Sequence, residues 1–195
     1  MGVSEFQVAI IGSGPAGLSA GARAAARGLS HLVLERSDGP CNTIFRFQKG
    51  KHVMAQPAHA PLRSELPFED GRREDVLAAW HGRAEELGVN LLYNADVIGI
   101  TGVAGAFTIA LADGSEVTAA AVVLAVGLQG NLNTLRVPGA ELEHVGYQLD
   151  DPDEYEHERI SVIGAGDAEI ENALALAAHN DVTIINRSGE CARAK

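Results

Sequence analysis

Cysteine is scarce. Cys41 and Cys191 are the only two in 195 residues. Two isolated thiols make neither a disulfide framework nor a CxxC pair, so a stapled secreted scaffold is excluded and a reducing cytoplasm is the expected setting. Positive charge is also short. Fifteen Lys and Arg stand against 26 Asp and Glu, a formal net charge of −11, which argues against nucleic acid and anionic membrane surfaces as partners. No apolar run reaches the length that spans a bilayer. Met1 to Glu5 is short and polar and predicts no cleaved leader. The seven histidines are scattered, without HExxH or comparable ligand spacing, so no metal site is expected.

What the chain does hold is concentrated at its start. The apolar run Phe6-Gln7-Val8-Ala9-Ile10-Ile11 leads into Gly12-Ser13-Gly14-Pro15-Ala16-Gly17, then an alanine-rich stretch, then Leu32-Val33-Leu34-Glu35-Arg36. Strand, glycine turn, helix and second strand ending on an acid form the βαβ dinucleotide fingerprint in its proper context. Gly12 lets the chain turn off the strand, Gly14 leaves room for a pyrophosphate, and Gly17 lets the helix pack close to the strand. Free N–H groups and the helix dipole attract the phosphates. Pro15 suits an early helical position, where a missing N–H costs little. Glu35, 21 residues after Gly14, can accept hydrogen bonds from the adenosine ribose.

The first helix is expected from Pro15 to Arg27, with Gly28 as its stop, and a strand from His31 to Leu34. Between Ser37 and Arg73 periodicity fades. Three prolines (Pro57, Pro61, Pro67) and several basic residues make this either a functional loop region or a set of short helices. Arg73 to Leu87 reads as a helix with Val76, Trp80, Ala84 and Leu87 on one apolar face, Trp80 being core. A β-rich block comes next: a short strand Val89–Tyr93, a hairpin of Asp96–Gly102 and Ala106–Ala112, an Asp113-Gly114 turn into Glu116-Val117-Thr118, and a separate strand Ala121–Val126 buried on both faces. A polar loop from Gln129 to Gly139 and an acidic run, Asp150 to Glu158, then separate this block from the C-terminal stretch.

In that C-terminal stretch the pattern begins again. Arg159–Ile163 is a strand, Gly164-Ala165-Gly166-Asp167-Ala168-Glu169 a turn, Ile170–His179 a helix and Val182–Ile185 a strand, with Asn186-Arg187 after it. This is a second dinucleotide βαβ with one departure. The third glycine position carries Glu169, which cannot tuck against the strand and puts negative charge where phosphates would sit. The expected organisation is α/β: a Rossmann-like dinucleotide-binding domain over residues 1–139 containing a small antiparallel β-meander, an acidic linker over 140–157, and a partial second dinucleotide-binding unit over 158–195.

Two dinucleotide folds with a meander inside the first resemble the two-dinucleotide-binding flavoprotein reductases, in particular the thioredoxin-reductase-like branch that lacks a CxxC pair. The resemblance covers nearly the whole chain. It rests on Gly12–Gly17 with Glu35, on Leu124-Ala125-Val126-Gly127, and on Gly164-Ala165-Gly166-Asp167-Ala168. It implies FAD at the first site: Gly12, Gly14, Pro15, Ala16 and Gly17 along the pyrophosphate, Glu35 on the ribose, Arg36 and Val97 at the adenine, and Asn42, Thr43, Ala125, Val126 and Gly127 toward the flavin. It implies NAD(P)H at the second, through Gly164, Gly166, Asp167 and Ala168. Arg187 stands where NADPH-using members place a base for the 2′-phosphate, while Ser188 stands where a second arginine is common.

The resemblance therefore implies an FAD-dependent NAD(P)H oxidoreductase, passing hydride to the flavin and electrons to an unknown acceptor, with a homodimer left open. Cys41, a lone thiol, is expected to be incidental. The chain stops before the family's returning half of the FAD domain, which makes it a fragment or a protein completed by a partner. Two rivals remain: a non-catalytic FAD- or NAD(P)-binding module, and a simple NAD dehydrogenase, against which the meander and second βαβ argue.

Overall fold

The computed structural model describes residues 5–55, 63–128 and 134–187. The chain forms two compact units, Met1–Phe45 with Gly50–Thr134, and Arg46–Lys49 with Leu135–Lys195.

In the first unit, strand β1 (Phe6–Ile11) runs into helix α1 (Pro15–Ala26), which returns to β2 (His31–Leu34). A short α2 (Asn42–Phe45), the paired β3 (His52–Val53) and β4 (Gly71–Arg72), and helix α3 (Arg73–Glu86) come next. They are followed by β5 (Leu91–Leu92), β6 (Val97–Val103), β7 (Ala106–Leu111) and β8 (Glu116–Leu124). Six strands make one sheet in the order β5-β2-β1-β8-β7-β6. The pairs β5/β2, β2/β1 and β1/β8 are parallel, while β8/β7 and β7/β6 are antiparallel.

The small residues of α1 explain how it lies on this sheet. A Cβ added at Gly21 would stand 2.8 Å from Val33 Cγ2 and 2.9 Å from Val89 Cγ1. Only glycine allows the helix that close. The other set of alternating residues, Ala9, Ile11, Leu32 and Leu34 of the parallel strands, joins Ile109, Leu111, Val117 and Ala119 of the meander in one buried cluster. Alternation along each strand is what divides the two sets. The long stretch after β2 is anchored by Trp80, which is buried, donates from its indole N–H to the Pro67 carbonyl at 2.6 Å and stacks on Phe68. Its described residues hold one short helix and one strand pair; Pro57 and Pro61 lie outside them.

Two expectations are corrected. Glu116–Thr118 and Ala121–Val126 are not separate strands, because Ala119 and Ala120 carry the chain straight on as β8. Nor is Ala121–Val126 buried on both faces: Leu124 is 67% exposed and Val126 65%. The reason is in the pairing. The β7 ladder with β8 begins at Phe107↔Ala119 and the Gly105 N–H donates to the Ala120 carbonyl, so beyond Ala120 only β1 flanks the strand among the described residues.

The second unit pairs β9 (Arg159–Ile163) with β10 (Asp181–Ile185) in parallel, around helix α4 (Asp167–Leu176). The helix lies three residues earlier than the expected 170–179. Gly166 is its N-cap, the acids Asp167 and Glu169 suit its positive end, and the Asn180 amide bonds the Leu176 carbonyl at the other end at 2.9 Å. Residues 140–157 lie in this unit and carry turns and a 3₁₀ turn, Pro152–Glu154, in which Asp151 accepts from the Asp153 N–H and pairs with Lys49 at 2.9 Å.

Candidate functional site

The end of β1 collects the first set of expected site residues. Gly12 has φ +99°, and a Cβ there would sit 2.5 Å from the Ala125 carbonyl oxygen. The Ala125 N–H donates to the Ile11 carbonyl at 2.8 Å, which brings Ala125, Val126 and Gly127 beside the glycine turn. A Cβ on Gly17 would overlap the Gly12 carbonyl outright. The helix and strand thus touch backbone to backbone. Gly14 is different: nothing lies within 4 Å of where its Cβ would be. It is the N-cap of α1, no side chain caps that end, and no acid stands in the first turn. Pro15 and Ala16 are exposed beside it. The result is an open seat lined by uncapped backbone N–H groups at a positive helix end, the arrangement that holds a phosphate.

Glu35 lies behind this seat, only 7% exposed. Its Oε2 accepts from the Ser13 N–H at 2.8 Å and from the Ser13 hydroxyl at 2.6 Å, and its Oε1 from the Ser37 N–H at 2.9 Å. Burial alone would raise its pKa, but the Ser13 hydroxyl and the Ser37 and Ser13 backbone N–H groups together hold it below the usual carboxylate range. The carboxylate is therefore ionised at neutral pH. Three of its roughly four acceptor positions are filled from within the chain, leaving room for about one further donor. Ser13 is the residue that motif reasoning passed over. As a polar side chain between two glycines and fully buried, it had to find a partner.

Cys41, expected to be incidental, packs beside the glycine turn. It is buried at φ +55°, its N–H donates to the Ser13 carbonyl at 3.1 Å and its Sγ to the same oxygen at 3.3 Å. Burial, with the Glu35 charge adding, pushes its thiol up to about 12, so it remains protonated. These two bonds tie the residue just before α2 to the glycine turn, and Asn42 and Thr43 follow it as the first two residues of that helix. Arg36 is exposed beside Glu35. The Ala95 N–H donates to the Glu35 carbonyl at 2.8 Å and draws Val97, half-buried at the head of β6, to the same strand end. Tyr93 adds a buried hydroxyl with no partner among the described residues, its pKa raised chiefly by burial, with the Glu35 charge adding.

The second turn has the same backbone plan. Gly164 has φ +119°, its N–H donates to the Ile185 carbonyl at 2.9 Å, and Gly166 caps α4. Its seat is not open. Glu169 folds back over the turn, with Oε2 2.5 Å from where a Gly166 Cβ would be and Cγ 3.0 Å from that of Gly164. Asp167 and Ala168 lie in the first helical turn. Arg187 is exposed two residues past β10, and Ser188 lies outside the described residues.

Residues 9–195 match the family model described as pyridine nucleotide-disulphide oxidoreductase. The chain belongs to that family. Flavoprotein reductases of this family and its relatives use FAD and NAD(P)H. Among curated proteins the chain is similar to a ferredoxin–NADP reductase of Ignicoccus hospitalis, 24% identical over 91% of this chain and 55% of the relative. Among solved structures it matches the bacillithiol disulfide reductase of Staphylococcus aureus, with a TM-score of 0.82 and 23% identity over 97% of this chain and 59% of that one. It also matches the thioredoxin reductase of Lactococcus lactis, with a TM-score of 0.74 and 25% identity over 98% and 59%. The chain thus spans a little over half the length of the oxidoreductases it matches. No helix among the described residues is long and apolar enough to cross a membrane.

Proposed function

We propose that the first unit is the FAD-binding part of an NAD(P)H-dependent flavoprotein oxidoreductase, and that the second unit begins its NAD(P)H-binding part. The observation that carries this reading is the open seat over Gly14, at an uncapped helix end, with an ionised Glu35 at the tip of the neighbouring strand. The residues present fit the group. Gly12, Gly14, Pro15, Ala16 and Gly17 would hold the pyrophosphate, and Glu35 would take one ribose hydroxyl. Arg36 and Val97 would face the adenine, and Asn42, Thr43 and Ala125–Gly127 would border the flavin. The bound flavin would supply the hydride-accepting ring, and the chain would bind and orient it. No side-chain acid, base or nucleophile is assigned. Cys41, buried and protonated, is unsuited to a dithiol relay, so electrons are proposed to pass to an acceptor whose identity the relatives' names leave as a class: small redox proteins or disulfides. Arg187 favours NADPH over NADH at the second unit.

The test is reconstitution. Incubated with FAD and passed through gel filtration, the chain should keep a flavin spectrum, and should oxidise NADPH in an FAD-dependent way with an artificial acceptor. A colourless protein would overturn the assignment of the first site.

One observation favours a second reading, a non-catalytic module that holds FAD without turnover: Glu169 fills the second seat. Calorimetry separates the two, since the module would bind FAD and show no heat with NADPH or NADH.

A further inference from the structure

The first and second glycine turns differ in one residue with a physical consequence. At the position of Gly17 the second unit carries Glu169, the third residue of α4. A glutamate at that helical position habitually folds back toward the N-cap, as in the capping box. Here the N-cap is Gly166 and its neighbour across the turn is Gly164, neither of which has a side chain to keep the carboxylate off. The Glu169 side chain passes Gly164 at its Cγ and sets its carboxylate on the side of the turn where a Gly166 Cβ would be. That is the side a dinucleotide pyrophosphate must approach, because it is what the absence of a side chain at the second glycine leaves clear.

We propose that Glu169 is a resident occupant of the pyrophosphate seat of the second unit, and that NADPH enters this seat only by displacing its carboxylate. The inference rests on the reading of the second unit as a pyridine-nucleotide site. Displacement has two costs. A carboxylate loses its place at a positive helix end, and an anion then arrives beside two acids of the same helical turn, Asp167 and Glu169. Glu169 thereby sets the affinity of this site without being one of its binding groups.

The experiment is a fluorescence or calorimetric titration of NADPH, and separately NADH, against the 195-residue chain and its Glu169→Ala and Glu169→Gln variants, with thermal unfolding of each. Glu169→Ala should bind NADPH about tenfold tighter or more than the parent, while its ligand-free form melts slightly lower, since a favourable helix-end charge is gone. Glu169→Gln, which keeps the shape and loses the charge, should fall between. Tighter binding with lower intrinsic stability is a combination that a merely structural glutamate would not produce. Equal, measurable affinity in parent and Glu169→Ala would overturn the proposal and leave the nucleotide site standing. Absence of NADPH and NADH binding in all three, each folded by its melting curve, would overturn the proposal together with the reading of the second unit.

Discussion

The two glycine turns are built to one backbone plan, yet each places a carboxylate on a different side of it. Around Gly12–Gly17 the acid is Glu35, behind the turn, tied down by Ser13 and Ser37. The space over Gly14 is clear. Around Gly164–Glu169 the acid lies over the turn, against Gly166. A carboxylate behind the turn orients the loop and leaves the helix end free for a phosphate. A carboxylate over the turn takes up the space at the helix end, as Glu169 does against Gly166. The same charge therefore leaves one turn open and covers the other, and only its position relative to the backbone decides which.

The comparison breaks most severely at Gly17. A Cβ there overlaps the Gly12 carbonyl, so Gly17→Ala must push α1 off the strand. The expected cost is about 2–3 kcal/mol, with loss of FAD retention, read by thermal unfolding and by flavin absorbance after gel filtration. Gly14→Ala is the control. Its φ of −63° suits alanine and its Cβ meets nothing. It should fold with near-parent stability and bind FAD more weakly. Equal stability in the two variants would show that the backbone contact at Gly17 does not matter.

Glu35→Gln tests the acid behind the turn. Its amide cannot accept what two carboxylate oxygens accept, and the loss should be about 2–3 kcal/mol at neutral pH. Because folding lowers the pKa of Glu35, its contribution is complete above the ordinary value of 4.5 and disappears as pH falls from there through the native pKa. The stability gap between parent and Glu35→Gln should therefore be full at about pH 7 and shrink below pH 4.5 in denaturant titrations. A gap independent of pH would remove the carboxylate from the account.

The smallest effect expected is at Cys41. With its thiol pushed up to about 12 and buried, it should stay unalkylated by iodoacetamide at about pH 8 in the folded chain and react once denatured, as peptide mapping by mass spectrometry would show. Rapid native labelling of the Cys41 peptide would contradict a structural role.

Much of this arrangement is legible in the residues. The periodicity of Phe6–Leu34 predicts β1, α1 and β2 almost to the residue, because small side chains and glycine stops leave few alternatives. The Val76–Trp80–Ala84 spacing does the same for α3. Other features are not legible locally. The merger of two expected strands into β8 depends on Ala119 and Ala120, which favour no particular structure, and on partners far away in sequence. The exposure of Leu124 and Val126 reflects which edge is paired, and an apolar run alone does not report that. Ser13 bonds Glu35 through its N–H and hydroxyl while its carbonyl accepts from Cys41, contacts invisible until the loop is folded. Glu169 could be recognised as an intrusion from the motif, but whether its side chain points outward or folds back over the glycines is a rotameric matter that only the folded turn decides.

One consequence of β8 concerns the order of events in time. Ala119 pairs with Phe6 on one side and Phe107 on the other. During synthesis β1 emerges more than a hundred residues before the strand that completes it. It can zip onto β2 early, but its second edge stays open, an apolar template, until residues 119–124 have left the ribosome. Closure of the sheet is thus a late, long-range step, and a nascent chain stalled before Ala119 would present that edge to its neighbours.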